Sequence, residues 1–96
     1  MVGQTDGALL VAPIDEVDLE VPYNLLLWDD PVSTMDYVVY AIGKVLEYSL
    51  EKCNELMMYA HMNGKVVAWT GEREQAQAYA VALHGYGLQA TIVKSA

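Results

Sequence analysis

The sequence predicts an α+β domain in the order β-α-α-β-α-β, a three-stranded antiparallel sheet with its helices packed on one face. Three observations carry that reading. Short runs rich in branched, apolar and aromatic residues stand at 23–28, 65–70 and 88–94, each too brief for an independent helix. Between them lie three stretches in which apolar residues recur at helical steps, the mark of a helix with one buried face. Proline, glycine, asparagine or serine punctuates the junctions.

The first run, YNLLLW from Tyr23 to Trp28, is bounded by Pro22 and by Asp29-Asp30-Pro31. Its length suits a strand. Ser33 stands where an N-cap belongs, with Asp36 three residues on as a weaker form of the capping box. Met35, Val38, Val39, Ile42, Val45 and Leu46 then make one apolar face of a helix over 34–47. Tyr48 and Ser49 interrupt it, and Ser49 is placed to cap a second helix beginning at Leu50. That helix turns Leu50, Cys53, Leu56, Met57, Ala60 and His61 inward and closes at Asn63-Gly64. KVVAWT at 65–70 reads as the second strand. Gly71 leads into a helix over 72–84 with Ala76, Tyr79, Ala80 and Leu83 inward, stopped by Gly85 and Gly87. The last strand, LQATIVK at 88–94, sets Leu88, Ala90 and Ile92 against Gln89, Thr91 and Val93 on the other face.

At 96 residues, 54% hydrophobic and 19% charged, the chain forms one domain with a core of its own. Five basic residues face 13 acidic ones, a formal charge of −8, which argues against a phosphate backbone or an anionic membrane as partner. The acidity is uneven. Residues 1–30 carry Asp6, Asp15, Glu16, Asp18, Glu20, Asp29 and Asp30 and no basic residue. With Gly3, Gly7 and Pro13 and no sustained period, residues 1–21 read as a mobile acidic extension before a core domain at 22–96. A lone Cys53 fits a reducing compartment, MVGQTDG lacks the basic start of a secretory signal, and no apolar run approaches membrane-spanning length. A cytoplasmic protein is expected.

Little else stands out as chemistry. There is no glycine-rich phosphate loop, GxSxG, CxxC or HExxH. Cys53, on an inward helix face, reads as packing rather than a nucleophile. Asp29 and Asp30 make either an ordinary strand-to-helix turn or, as adjacent carboxylates, a place for a cation. His61 is a boundary residue or a functional acceptor, and His84 lies among helix-ending glycines. Met35 and Met57 are core fillers or the walls of an apolar pocket. Read alone, these residues describe a small binding domain with an apolar pocket edged by acid.

Three segments in order, LLLWDD at 25–30, MDYVVYAIGKVLEYS at 35–49 and LMMYAHMNGKVV at 56–67, resemble the ClpS adaptors of bacterial AAA+ proteases. The likeness spans residues 22–94, with Met57, His61, Gly64 and Lys65 falling at the family's spacing. It implies a non-enzymatic adaptor without cofactors. Such an adaptor binds proteins whose N-terminal residue is Leu, Phe, Tyr or Trp and delivers them to the N-terminal domain of ClpA or ClpC. It implies Asp30 as charge partner of the substrate amine, with Asp29 and His61 beside it. It also implies an apolar pocket of Met35, Val38, Met57, Ala60 and Leu88, with Met35 disfavouring β-branched residues. Glu74 and Tyr79 match positions that dock the unfoldase, Tyr79 standing where the family has a basic residue. Trp28 replaces the family's Asn, and an extra loop residue leaves open what Ser33 and Thr34 contact. The alternative is an unfoldase-binding regulatory domain whose pocket is altered by Trp28. The loop length suggests an actinobacterial type, and the family expectation is a monomer.

Overall fold

The computed structural model describes residues 21–95. The expected acidic extension falls almost wholly outside the described residues. The elements are β1 (Tyr23–Trp28), α1 (Met35–Leu46), α2 (Leu50–Asn63), β2 (Lys65–Gly71), α3 (Arg73–Gly85) and β3 (Ala90–Lys94). The sheet order is β2-β1-β3, with both pairings antiparallel. This is the α+β architecture the patterns predict.

β1 is the middle strand, which explains why its run is the most apolar of the three. Leu25 and Leu27 point into the core, Leu27 facing Val66 on one side and Ala90 on the other. Along β2 the register slips between Leu25 and Leu26, so that Ala68 is the extra residue of a β-bulge. Because of it, the consecutive residues Ala68 and Trp69 both join the core. Strict alternation fails there. Trp69 also folds its ring over Gly71, where a Cβ would collide with the indole. Tyr79 meets the same indole edge-on at 5.1 Å between ring centroids.

α2 lies on β2, α3 on β1 and β3, and α1 packs on the other two helices. Leu25, Leu27, Ile42, Cys53 and Leu83 are fully buried where these layers meet. Cys53 is inert in that setting, since burial pushes its thiol pKa up. Tyr48 spans the layers, its hydroxyl donating to the Ala68 carbonyl at 2.8 Å.

Three local expectations need correction. Thr34, not Ser33, caps α1, its hydroxyl accepting from the Tyr37 N–H at 3.1 Å. Ser33 is unavailable because Asp30 has captured it. Leu50 and His61 do not face inward: Leu50 is 70% exposed, since it opens α2 beside the exposed interhelical turn, and the His61 side chain, in the last turn of α2, is 48% exposed. β3 begins at Ala90; Leu88 precedes it and is buried in the core. Ser49 caps α2 as expected, and Gly64 closes it with φ +94°, a conformation that favours glycine.

Candidate functional site

The C-terminal end of β1 brings three elements to one place. The Asp29 N–H donates to the Gly64 carbonyl at 2.9 Å, which fastens the strand end to the closing turn of α2. His61 sits one turn back from Gly64. Its Nδ1 consequently lies 3.4 Å from Asp29 Oδ1, with both side chains partly exposed, 48% for the imidazole and 37% for the carboxylate.

Asp30 turns the other way, into its own loop. Its Oδ1 accepts from the Val32 N–H at 2.8 Å and the Ser33 N–H at 3.2 Å, and its Oδ2 from the Ser33 hydroxyl at 2.9 Å. The Val32 N–H above all, and then the Ser33 hydroxyl, hold the Asp30 carboxyl below its ordinary pKa. It stays fully negative at neutral pH.

Beneath these groups is a cavity of about 310 Å³, lined by Leu27, Met35, Val38, Met57 and Ala60, with Trp28, Asp29, Asp30, Pro31, Ser33 and His61 also on its wall. Leu27, Val38, Met57 and Ala60 are buried, while Met35, Asp29 and His61 are partly open to solvent. The arrangement is thus an apolar floor with an acidic rim. A volume near 300 Å³ is at the small end for ligand pockets and suits one side chain.

Most of the residues expected at a site meet here: Asp29, Asp30, His61, Met35, Val38, Met57 and Ala60. Leu88 does not. It belongs to a second depression with Trp28, His84, Gly87, Gln89, Ala90 and Thr91. Thr34 is committed to capping α1. Glu74 is exposed in the first turn of α3, whereas Tyr79 is half-buried against Trp69. Leu27 and Pro31 are cavity residues that the motifs do not mark, although strand alternation from Leu25 places Leu27 on the inner face.

Trp28 borders the cavity without filling it. Leu27 faces the core, so strand alternation turns Trp28 to the outer face of the sheet. There its indole N–H donates to the Thr91 hydroxyl at 2.9 Å and the Lys65 ammonium lies 5.0 Å from the ring centroid.

Comparison with known proteins bears on the family and the fold. The family described as ATP-dependent Clp protease adaptor protein ClpS matches residues 19–91. This chain belongs to the ClpS family. The ClpS adapter of Corynebacterium efficiens is 40% identical over 91 residues, spanning 84% of this chain and 90% of that one. The ClpS adapter of Streptomyces coelicolor is 37% identical over 91 residues, 95% of this chain and 93% of that one. Both relatives are actinobacterial, in line with the loop length. Among solved structures, Agrobacterium tumefaciens ClpS2 bound to L-phenylalaninamide matches with a TM-score of 0.76, covering 78% of this chain and 98% of that one. At 23% identity, that match concerns the fold. The family role is that of an adaptor for a Clp protease. Among the described residues, no helix is long and apolar enough to cross a membrane.

Proposed function

We propose that this ClpS-family adaptor binds proteins through a free N-terminal Leu, Phe, Tyr or Trp and hands them to a Clp unfoldase, catalysing nothing itself. The observation that carries the reading is the apolar cavity with Asp29, Asp30 and His61 at its rim. A free α-amino group, with a pKa near 7.7 to 8, is mostly protonated at neutral pH and needs acceptors. Asp29 and the His61 ring each offer one, and Asp30 adds its charge. The adjoining side chain needs a dry enclosure of matching shape, which Leu27, Val38, Met57 and Ala60 supply. Met35, at the entrance, bears on residues branched at Cβ and disfavours Ile and Val.

The altered-pocket alternative requires Trp28 to occupy the site. Its bond to Thr91 on the outer face speaks for an open cavity instead. The partner of the exposed first turn of α3, through Glu74, is the N-terminal domain of ClpC or ClpA. Tyr79 offers its hydroxyl at most, because its ring is packed on Trp69. The protein acts as a cytoplasmic monomer.

Fluorescence anisotropy tests the reading, with short labelled peptides that differ only in beginning with Leu, Phe, Tyr, Trp, Ile or Met, and an N-acetylated Leu control. Leu and the aromatic residues bind, Ile binds weakly, and acetylation abolishes binding. Equal affinity for the acetylated peptide overturns the amine-and-pocket mechanism.

A further inference from the structure

The second depression, about 420 Å³ in volume, begins where the first cavity ends. Trp28 lines both. Its backbone N–H donates to the Gln89 carbonyl at 3.1 Å, so the strand end that edges the cavity is bonded to the floor of the neighbouring depression. The half-buried Trp28 indole shares the lining with the buried Leu88 and Ala90 and with His84, Gly87, Gln89 and Thr91. The site is also held in place. Thr91 fixes the indole N–H, Lys65 stands over the ring, and His84 Nε2 lies 2.7 Å from the Ala90 carbonyl. Gly87, at φ +85°, shapes the loop that borders it.

We propose that this depression is a second subsite, which takes an aromatic side chain at position 2 or 3 of the substrate, with Trp28 as its specificity-determining wall. The proposal rests on the reading of the cavity as the seat of residue 1. A chain leaving that cavity advances about 3.3 to 3.6 Å per residue, so one or two residues reach across the strand end. The indole then meets an aromatic ring edge-on or offset, a contact that adds affinity beyond area burial. Preference for the first residue comes from the cavity, and preference at positions 2 and 3 comes from Trp28. The outer-face position of residue 28 makes that division of labour possible, because the indole can change without altering the apolar floor.

The test holds Leu at position 1 and compares Gly with Tyr at positions 2 and 3. Wild-type protein binds the better Tyr peptide about three- to tenfold more tightly than the all-Gly peptide. In Trp28→Val the ratio of the two affinities falls to about one, and that ratio, read within one variant, is independent of any change in its binding of the shared Leu. On the wild-type protein, the NMR signals of the Trp28 indole N–H and the Gly87 amide shift with the Tyr peptide beyond their shift with the Gly peptide. Equal wild-type affinity for Tyr and Gly at both positions overturns the subsite while leaving the cavity reading intact. So do NMR shifts confined to Asp29 and His61. Failure of every Leu peptide to bind overturns both.

Discussion

Asp29 and Asp30 are neighbours of one residue type, yet the fold gives them different work. Asp29 faces His61 at the cavity rim, while Asp30 knots its own loop through Val32 and Ser33. Removing each charge therefore has a different signature. Asp29→Asn weakens binding of a Leu-initiated peptide about ten- to a hundredfold, the worth of a charge-assisted hydrogen bond, with unchanged melting. Loss of affinity in proportion to loss of fold would show a merely structural role. Asp30→Asn acts on stability as a function of pH. The folded-state carboxyl titrates below its ordinary value of 3.8, so its contribution is present above that pH and disappears as pH falls through the lower folded value. Urea unfolding at pH 5 then finds the variant less stable than wild type. The gap narrows toward pH 3. Because Asp30 sits in a partly exposed loop, the effect is small, and a gap independent of pH would assign it to packing instead.

At the scale of elements, the start of α1 separates two adjacent hydroxyls in the same way. Thr34→Ala removes the side chain that caps Tyr37 N–H and costs about 1 kcal/mol in chemical denaturation. Ser33→Ala leaves that cap in place and loosens only the Asp30 loop. An equal cost for both would mean that Ser33 can take over as cap. This pair also shows where the sequence ceases to be legible. Serine and threonine cap comparably, and the choice is made by a carboxylate three residues upstream whose target composition does not reveal. The end of α1 is equally hidden, since the left-handed residue there is Glu47, at φ 59°, not a glycine. The bulge at Ala68 is hidden too, because an apolar, branched run looks the same with or without an extra residue. By contrast, β1 is legible to the residue. Pro22 and Asp29-Asp30-Pro31 bound it chemically, and burial on the inner face explains Leu25 and Leu27. The rim is only half legible: helical spacing puts His61 with Met57, but the exposure of His61 arises because the cavity is open at that end.

Across the whole molecule, the cavity is not a property of any single element. Its floor takes Leu27 from β1, Val38 from α1 and Met57 and Ala60 from α2, three of which also belong to the main core cluster. A ligand seated there bridges the same elements whose separation is unfolding, so it stabilises the native state by mass action. The domain is small, and its sheet has only three strands, so little stability is held in reserve. Small domains also convert free energy into large thermal shifts, about 4 to 8 °C per kcal/mol. A Leu-initiated peptide at ten times its Kd contributes about 1.4 kcal/mol and raises Tm by about 6 to 11 °C. The N-acetylated peptide at the same concentration leaves Tm unchanged, because acetylation removes the positive charge and all but one N–H of the amine that Asp29 and His61 face, and adds a methyl and a carbonyl at the acidic rim. In His61→Ala, the free peptide at that concentration gives a smaller rise, since one acceptor is gone while the apolar floor remains. A rise of the same size with the acetylated peptide would place the binding energy in the floor alone and remove the acidic rim from recognition.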